Sequence, residues 1–438
     1  MVLVDMDLPE RDFYHLFNYN ENQKYGDRLR TRFTNLRIYS IAFVALLAIV
    51  LLYFANLAFA RNYPGGKYFH TQWGAVRAVL VDHSDPYSDT TLYALQTSVY
   101  GRPAMAGEYE FRFSYPLFSL LIFLPFGLVK EYVFARAAWM LFLELLVVLS
   151  YWLAMNLANW KPGLRTTILL FVFFVTFYHS IRAIVDGNAI ILVSVFIIGI
   201  LISLRDHNDE LAGILLAGLL MEIQYSFLVL LLILLFAGLN RRAKVFTFFL
   251  GTVTVLFGFS FLFQPDWLAG YWAQLWASIS NGTFANFNAA LTASWGGLGT
   301  RIAIFIAVIS AAMLLVEWFL ARRKSFLFFI WLCYLALVLQ QWLGAPSEAN
   351  NFFILLPGLL FALKQLVERW HAKGEALVFL FCLFLFSITW LTFFLTRHAA
   401  PAFIDSLVFY GLLPLFEVLV LYWARWWIVH RPSAELFS

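Results

Sequence analysis

IYSIAFVALLAIVLLYFANLAFA, residues 38–60, runs twenty-three residues without a charge. At about 1.5 Å rise per residue, a helix of that length crosses a hydrocarbon layer of roughly 30 Å. The 37 residues before it are largely polar and include Asp5, Asp7, Glu10, Arg11, Arg28, Arg30 and Arg32, which argues against a cleaved signal peptide and for a retained anchor. After it comes a polar and aromatic stretch, residues 61–114, and then apolar runs to the end of the chain.

Those runs lie near 116–129, 137–159, 166–183, 188–204, 211–221, 225–239, 245–263, 302–321, 325–343, 352–363, 375–396 and 406–428. With 62% hydrophobic and 13% charged residues and a mean hydropathy of +0.77, one soluble core cannot bury this surface. The expected fold is an all-α, polytopic transmembrane bundle of about 11–13 segments. Runs 116–129, 211–221 and 225–239 are short for full crossings and read as tilted, broken or re-entrant helices, which are tolerated where they line a polar cavity.

Basic residues set the expected topology. Arg241, Arg242 and Lys244, then Arg322, Arg323 and Lys324, then Arg431 mark cytoplasmic ends. Residues 1–37 and 431–438 then form cytoplasmic ends around a single membrane domain, 38–430, in the plasma (inner) membrane. Residues 61–114 and 264–300 are its outer loops, and charge alone leaves 157–240 unassigned. In the first loop, Trp73, Val76 and Leu80 recur at helical spacing, as do Leu92, Leu95 and Val99 after the Asp85-Pro86-Tyr87 turn, predicting two amphipathic helices at the membrane face. The second loop is rich in Trp, Asn and Gly and is expected to close over the same region.

Net charge is only +4, so nucleic acid is not implied. Cys333 and Cys382 sit in apolar runs and support neither a disulfide nor a metal site, and the eight histidines form no HExxH pair. No metal or cofactor is expected. Charged groups inside apolar runs are costly and usually face the protein interior. Glu144, Glu317 and Glu417 read as helix-to-helix hydrogen-bonding residues. Arg182 and Asp186, four apart, share a helix face and can pair. Glu222 and Gln224 stand where two short runs meet, a junction that favours a cavity lining. Glu348, Asn350 and Asn351 fall in the short loop 344–351, where solvation explains them. Asn281-Gly282-Thr283 is a chance glycosylation triplet.

Taken in order, Gly65-Gly66 through Trp73, Asp85-Pro86-Tyr87, Phe113-Ser114-Tyr115-Pro116, Asp186-Gly187-Asn188 and Ala212-Gly213 through Gln224 resemble a GT-C glycosyltransferase, most closely family 87, the polyprenyl-phosphate-mannose type. Pro265-Asp266-Trp267 and Asn351 to Pro357 fit more loosely. The resemblance implies transfer of a mannose-like hexose from a polyprenyl-phosphate donor to a hydroxyl of a glycan or lipid acceptor at the outer face. A first-loop carboxylate would act as base and cations would steady the leaving phosphate.

Two positions depart from that pattern. Aligning Phe69 and Trp73 leaves Tyr68 where relatives carry the base aspartate, and counting from Ala212-Gly213 reaches Glu222-Ile223 where relatives often carry Lys-Pro. Either Asp82, Asp85, Glu108 or Glu110 supplies the base and Arg182 or Arg77 the cation, or the scaffold binds lipid or glycan without transferring. A lipid-linked sugar transporter is the third reading. Substrate contacts are expected from Tyr68, Arg77, Tyr87, Tyr115, Arg182, Asp186, Asn188, Glu222, Gln224 and Asn351.

Overall fold

The computed structural model describes residues 39–105, 107–280, 286–321, 324–344, 348–397 and 407–429. Residues 1–37, Arg322, Arg323, the 281–283 triplet and the tail with Arg431 lie outside the described residues. Among the described residues the regular elements are all helical. The first is α1 (Tyr39–Asn62). The first loop holds α2 (Lys67–Leu80) and α3 (Asp89–Tyr100), and a 3-10 turn, Leu117–Ser119, leads into α4 (Leu120–Gly127). Then follow α5 (Tyr132–Leu157), α6 (Leu164–Thr176), α7 (Tyr178–Asp186), α8 (Ile190–Arg205), α9 (Asp209–Gly218) and α10 (Ile223–Leu239). The second half has α11 (Ala243–Phe263), α12 (Trp267–Ser280), α13 (Phe287–Ala321), α14 (Phe326–Gln340), α15 (Leu356–Trp370), α16 (Ala372–Thr396) and α17 (Leu413–Val429).

By length and composition eight described stretches can cross a membrane, or nine if α6 and α7, bent by 42°, act as one; Leu117–Gly127, α8 and α14 are shorter apolar helices. The stretch Ala349–Trp370 is 94% buried and forms the centre, whereas α1 and α11 are 11% buried and turn apolar side chains such as Val255 and Leu262 outward, as lipid-facing helices do.

One of the eight stretches, Asp209–Leu239, does not cross as a rod. Its 31 residues would span about 46 Å if straight. Yet Arg242, just past its end, pairs with Asp209 at 3.1 Å, and Lys244 pairs with Glu210 at 2.9 Å. The chain therefore turns back at the 3-10 turn Leu219–Glu222, where Glu222 leaves helical geometry (φ −132°, ψ 54°), and α9 and α10 are the two limbs of a hairpin. Its tip lies at the end of the bundle that carries residues 61–114, the loop end. Its feet join the opposite end, where Arg205 on α8 donates to the Asn156 carbonyl of α5 at 3.0 Å.

At the loop end, α4 stays beside α2 instead of crossing. Gly127 packs so tightly on Val76 that a Cβ there would stand 2.3 Å from Val76 Cγ1. Gly74 meets Leu95 in the same way, joining α2 to α3. Ser88 caps α3 by accepting from Thr91 N at 3.2 Å, and Gly101 ends it in the left-handed conformation. The predicted apolar stripe holds for Val76, Leu92 and Leu95, which are buried, but Val99 is 40% exposed. From the second loop, α12 covers the first: Gln274 Nε2 donates to the Tyr87 carbonyl and Arg112 Nη1 donates to Gln274 Oε1, both at 2.6 Å.

The interior carboxylates divide. Glu144 accepts from Asn56 Nδ2 at 2.8 Å and Glu317 pairs with Arg425 at 2.9 Å. Glu417 corrects the expectation: it is fully buried, and neither oxygen has a hydrogen-bond partner among the described residues. Cys333 and Cys382 are buried and unbridged.

Candidate active site

The site begins with how α2 is launched. Gly66 sits in the left-handed region (φ 76°), and a Cβ there would meet Tyr132 Oη at 2.7 Å and Arg136 Nε at 2.8 Å. Tyr132 donates to the carbonyls of Gly65 and Gly66 at 2.7 and 3.0 Å, and Arg136 donates to those of Tyr63 at 2.6 Å and Val185 at 3.2 Å. Arg136 is only 2% exposed, and the Tyr63 and Val185 carbonyls and the Phe59 ring, 5.7 Å away, are what face its guanidinium in place of water. These contacts fix Lys67 and Tyr68 at the mouth of the bundle.

The Asp186-Gly187-Asn188 turn faces them. Gly187 (φ 73°) ends α7 in the left-handed conformation and lies flat against Phe69, while Trp139 Nε1 donates to its carbonyl at 3.0 Å. Asn188 accepts from Ile190 N at 2.9 Å and donates to Asn351 Oδ1 at 2.6 Å and Asn350 Oδ1 at 3.2 Å. Asn350 donates in turn to Asp186 Oδ2 at 2.9 Å, the oxygen that Arg182 holds at 3.1 Å. Asn350 and Asn351 are 1% and 0% exposed, so solvation does not explain them. They zip residues 349–355 onto the α7–α8 turn, because buried amides need partners.

Between these walls lies a cluster of phenols and carboxylates. The Tyr68 and Tyr109 rings meet edge to face at 5.7 Å, and Lys67 Nζ stands over both, 5.0 and 4.9 Å from their centroids. Lys67 pairs with Glu348. Burial, reinforced by Glu348, drives the Tyr68 and Tyr109 hydroxyls above the usual phenol range, and burial with Glu222 does the same to Tyr115. All three are neutral donors at pH 7. Glu222 is 0% exposed; Oε2 accepts from Gln224 Nε2 at 3.0 Å, and Oε1 has no partner among the described residues. Gln340 on α14 steadies the junction by donating to the Gln224 carbonyl at 2.6 Å. Tyr225 completes the group, lying beside Glu222, Glu348 and Asn351.

Of the residues read from sequence, the structure brings together Tyr68, Tyr115, Asp186, Asn188, Glu222, Gln224 and Asn351, with Arg182 at the edge. The carboxylates named as bases sit elsewhere. Asp82 is exposed at the end of α2, and Asp85 Oδ1 accepts from Tyr87 N at 2.9 Å to shape a turn. Glu108 is gripped by Arg102 through two 2.8 Å bonds and Glu110 is held by Arg112 at 3.1 Å. Arg77 lies over the Trp73 ring at 5.2 Å and, with Asp82, lines a separate cleft of about 350 Å³ between α2 and α3. Tyr87 is buried and acts from behind: its hydroxyl donates to the Tyr115 carbonyl at 2.7 Å and so sets Tyr115.

Sequence does not single out Lys67, Tyr109, Arg136 or Tyr225, and it reads Glu348 and Asn350 as solvated loop residues. Only the neighbourhood of Gly65-Gly66 hinted at Lys67. Among the described residues no three His, Cys, Asp or Glu side chains are grouped to hold a metal ion.

No curated protein and no solved structure matches the chain. Residues 113–363, more than half of it, match glycosyltransferase family 87. The match takes in Tyr115, the Asp186-Gly187-Asn188 turn, the Glu222 junction and Asn351, and begins beyond Tyr68. The chain is a membrane glycosyltransferase and belongs to glycosyltransferase family 87.

Proposed function

We propose that this transferase moves a mannose-like hexose from a polyprenyl-phosphate donor to a hydroxyl of a glycan or lipid acceptor, outside the plasma membrane, with its N-terminus in the cytoplasm. The observation that carries this reading is the cluster at the loop end, where neutral phenols, buried amides, carboxylates and two cations meet at the rim of apolar helices. A polyprenyl tail needs an apolar flank and its phosphosugar head needs a polar mouth, and this arrangement supplies both. Phenols and amides suit sugar hydroxyls, and Lys67 and Arg182 suit a phosphate.

Asp85, Glu108 and Glu110 shape the loop in this reading, and Asp82 and Arg77 belong to the separate cleft between α2 and α3. The broken hairpin at Glu222 serves the same end, since irregular backbone at membrane depth is sustained where it borders a polar cavity.

The reading is tested by giving membranes that contain the full chain a radiolabelled panel of polyprenyl-phosphate hexoses and, separately, nucleotide hexoses. Loss of label from the polyprenyl-phosphate lipid into a glycan or a second lipid is the expected result. Transfer from nucleotide sugars alone would overturn the donor assignment.

A further inference from the structure

Three carboxylates reach the cluster, and their surroundings separate their roles. Glu222 is sealed at 0% exposure, with one oxygen committed to Gln224. The Asp186 side chain is 11% exposed, and its Oδ2 is engaged by both Arg182 and Asn350. Glu348 is different. Its side chain is 27% exposed, and it is held by Lys67, itself 28% exposed.

The Glu348 backbone is firmly seated, because its carbonyl accepts from Asn351 N at 2.9 Å and Asn351 is locked to Asn188. Its side chain therefore extends toward Lys67 from an anchored carbonyl. A lysine is a flexible point charge, not a planar fork, so this pair exchanges partners more readily than the pinned Arg182–Asp186 pair. Both side chains are about a quarter exposed, so water and an incoming anion compete for the pair. The pair also stands beside Tyr68, the neutral side chain in the position where the resemblance placed a base.

We propose that Glu348 is the general base of this transferase and Lys67 its leaving-phosphate cation, and that the donor phosphate separates them by taking Lys67 for itself. The proposal rests on the donor reading given above. On binding, the phosphate draws Lys67 away and Glu348 is released toward the acceptor. The acceptor oxygen then bonds to the anomeric carbon, and its proton passes to Glu348. The bond from the anomeric carbon to the phosphate oxygen breaks, and its electron pair stays on the polyprenyl phosphate, which Lys67 neutralises. Products are the glycosylated acceptor, the polyprenyl phosphate and a protonated Glu348 that returns its proton to water.

The test uses the full chain in nanodiscs with polyprenyl-phosphate mannose as donor and sugar-free polyprenyl phosphate as binding probe. Glu348→Gln is expected to lower kcat roughly 100- to 10,000-fold while donor KM falls rather than rises, and to remove the acidic limb of the pH profile. Polyprenyl phosphate should bind more tightly to Glu348→Gln, because the competing carboxylate is gone, and about fivefold more weakly to Lys67→Met. Opposite signs in the two variants are the signature. A merely structural pair would weaken binding in both, and that result overturns the proposal. So does a Glu348→Gln enzyme of near-normal kcat, or loss of the acidic limb in Glu222→Gln instead. If the unmodified chain turns over nucleotide sugars and no polyprenyl-phosphate hexose, the donor reading fails and takes the proposal with it. Failure confined to the variants rejects the proposal alone.

Discussion

Replacing Gly187 by alanine tests how the site is assembled. The residue sits at φ 73°, and its new Cβ would stand 2.5 Å from Phe69 Cβ and 3.2 Å from Phe69 N. Phe69 has no room to yield: it is 0% exposed and stacked on Trp139 at 5.4 Å. Left-handed backbone costs an alanine about 1–2 kcal/mol, and overpacking against an immobile neighbour costs about 1–3 kcal/mol. Together they predict a loss of about 2–5 kcal/mol. Gly101 provides the control, since it shares the conformation (φ 70°) but has nothing within 4 Å of its Cβ position. Gly101→Ala should therefore show only the backbone cost, about 1–2 kcal/mol. Thermal melts of the detergent-purified proteins, followed by tryptophan fluorescence, measure both. Gly187→Ala should melt clearly below Gly101→Ala and lose more transferase activity, because α2 and with it Lys67 and Tyr68 are displaced. If the two variants melt together, Phe69 is not the wall described and the argument fails.

The remaining predictions concern titration and buried charge. Burial, with a smaller contribution from the Arg136 guanidinium, holds the His70 imidazole down at about 4, and its ring stacks on Tyr132 at 4.0 Å. The unfolded chain binds that proton first, so this part of the stability is lost as pH falls from about 6.5 toward 4, and melts at pH 7 and 5 should differ less in His70→Phe. The Arg102 guanidinium beside Glu108, with a bond from Met105 N, holds that carboxyl at about 2. The tie should persist as pH falls below the usual carboxylate range and open only near pH 2, so pepsin should cut between residues 101 and 110 at pH 4 in Glu108→Gln but not in the parent. Transferase activity of Glu108→Gln at pH 7 should stay near the parent level. Glu417 is buried without a partner in a place opened by Gly358, so Glu417→Leu should be neutral or raise stability by up to about 1–4 kcal/mol in a detergent melt. A marked loss would refute the reading of Glu417 as an unpaired buried acid.

Much of the architecture was legible because a membrane leaves the chain few options. Uncharged runs such as 38–60 must be helices, since every backbone group needs a partner where there is no water. The Gly66 and Gly187 positions were visible as glycine motifs, and the Glu222 junction as a break between two short runs. What sequence did not reveal is convergence. Lys67 and Glu348 pair across 281 positions, and no local pattern marks such a pairing. The same limit misread Asn350 and Asn351, which looked solvated in a short polar stretch but are themselves buried against the α7–α8 turn. Asp82, Asp85, Glu108 and Glu110 had the opposite fate. They lie near the expected position in sequence, but a turn engages Asp85, arginines engage Glu108 and Glu110, and Asp82 is exposed beyond the end of α2.

The central claim is that the loop-end cluster carries sugar transfer from a polyprenyl-phosphate donor. The most direct measurement is release of labelled mannose from polyprenyl-phosphate mannose by the full chain in nanodiscs, beside a variant carrying Glu222→Gln, Glu348→Gln and Asn351→Ala together. The account predicts transfer by the parent and none by a folded triple variant. Equal transfer by both, or a parent that acts only on nucleotide sugars, would contradict it.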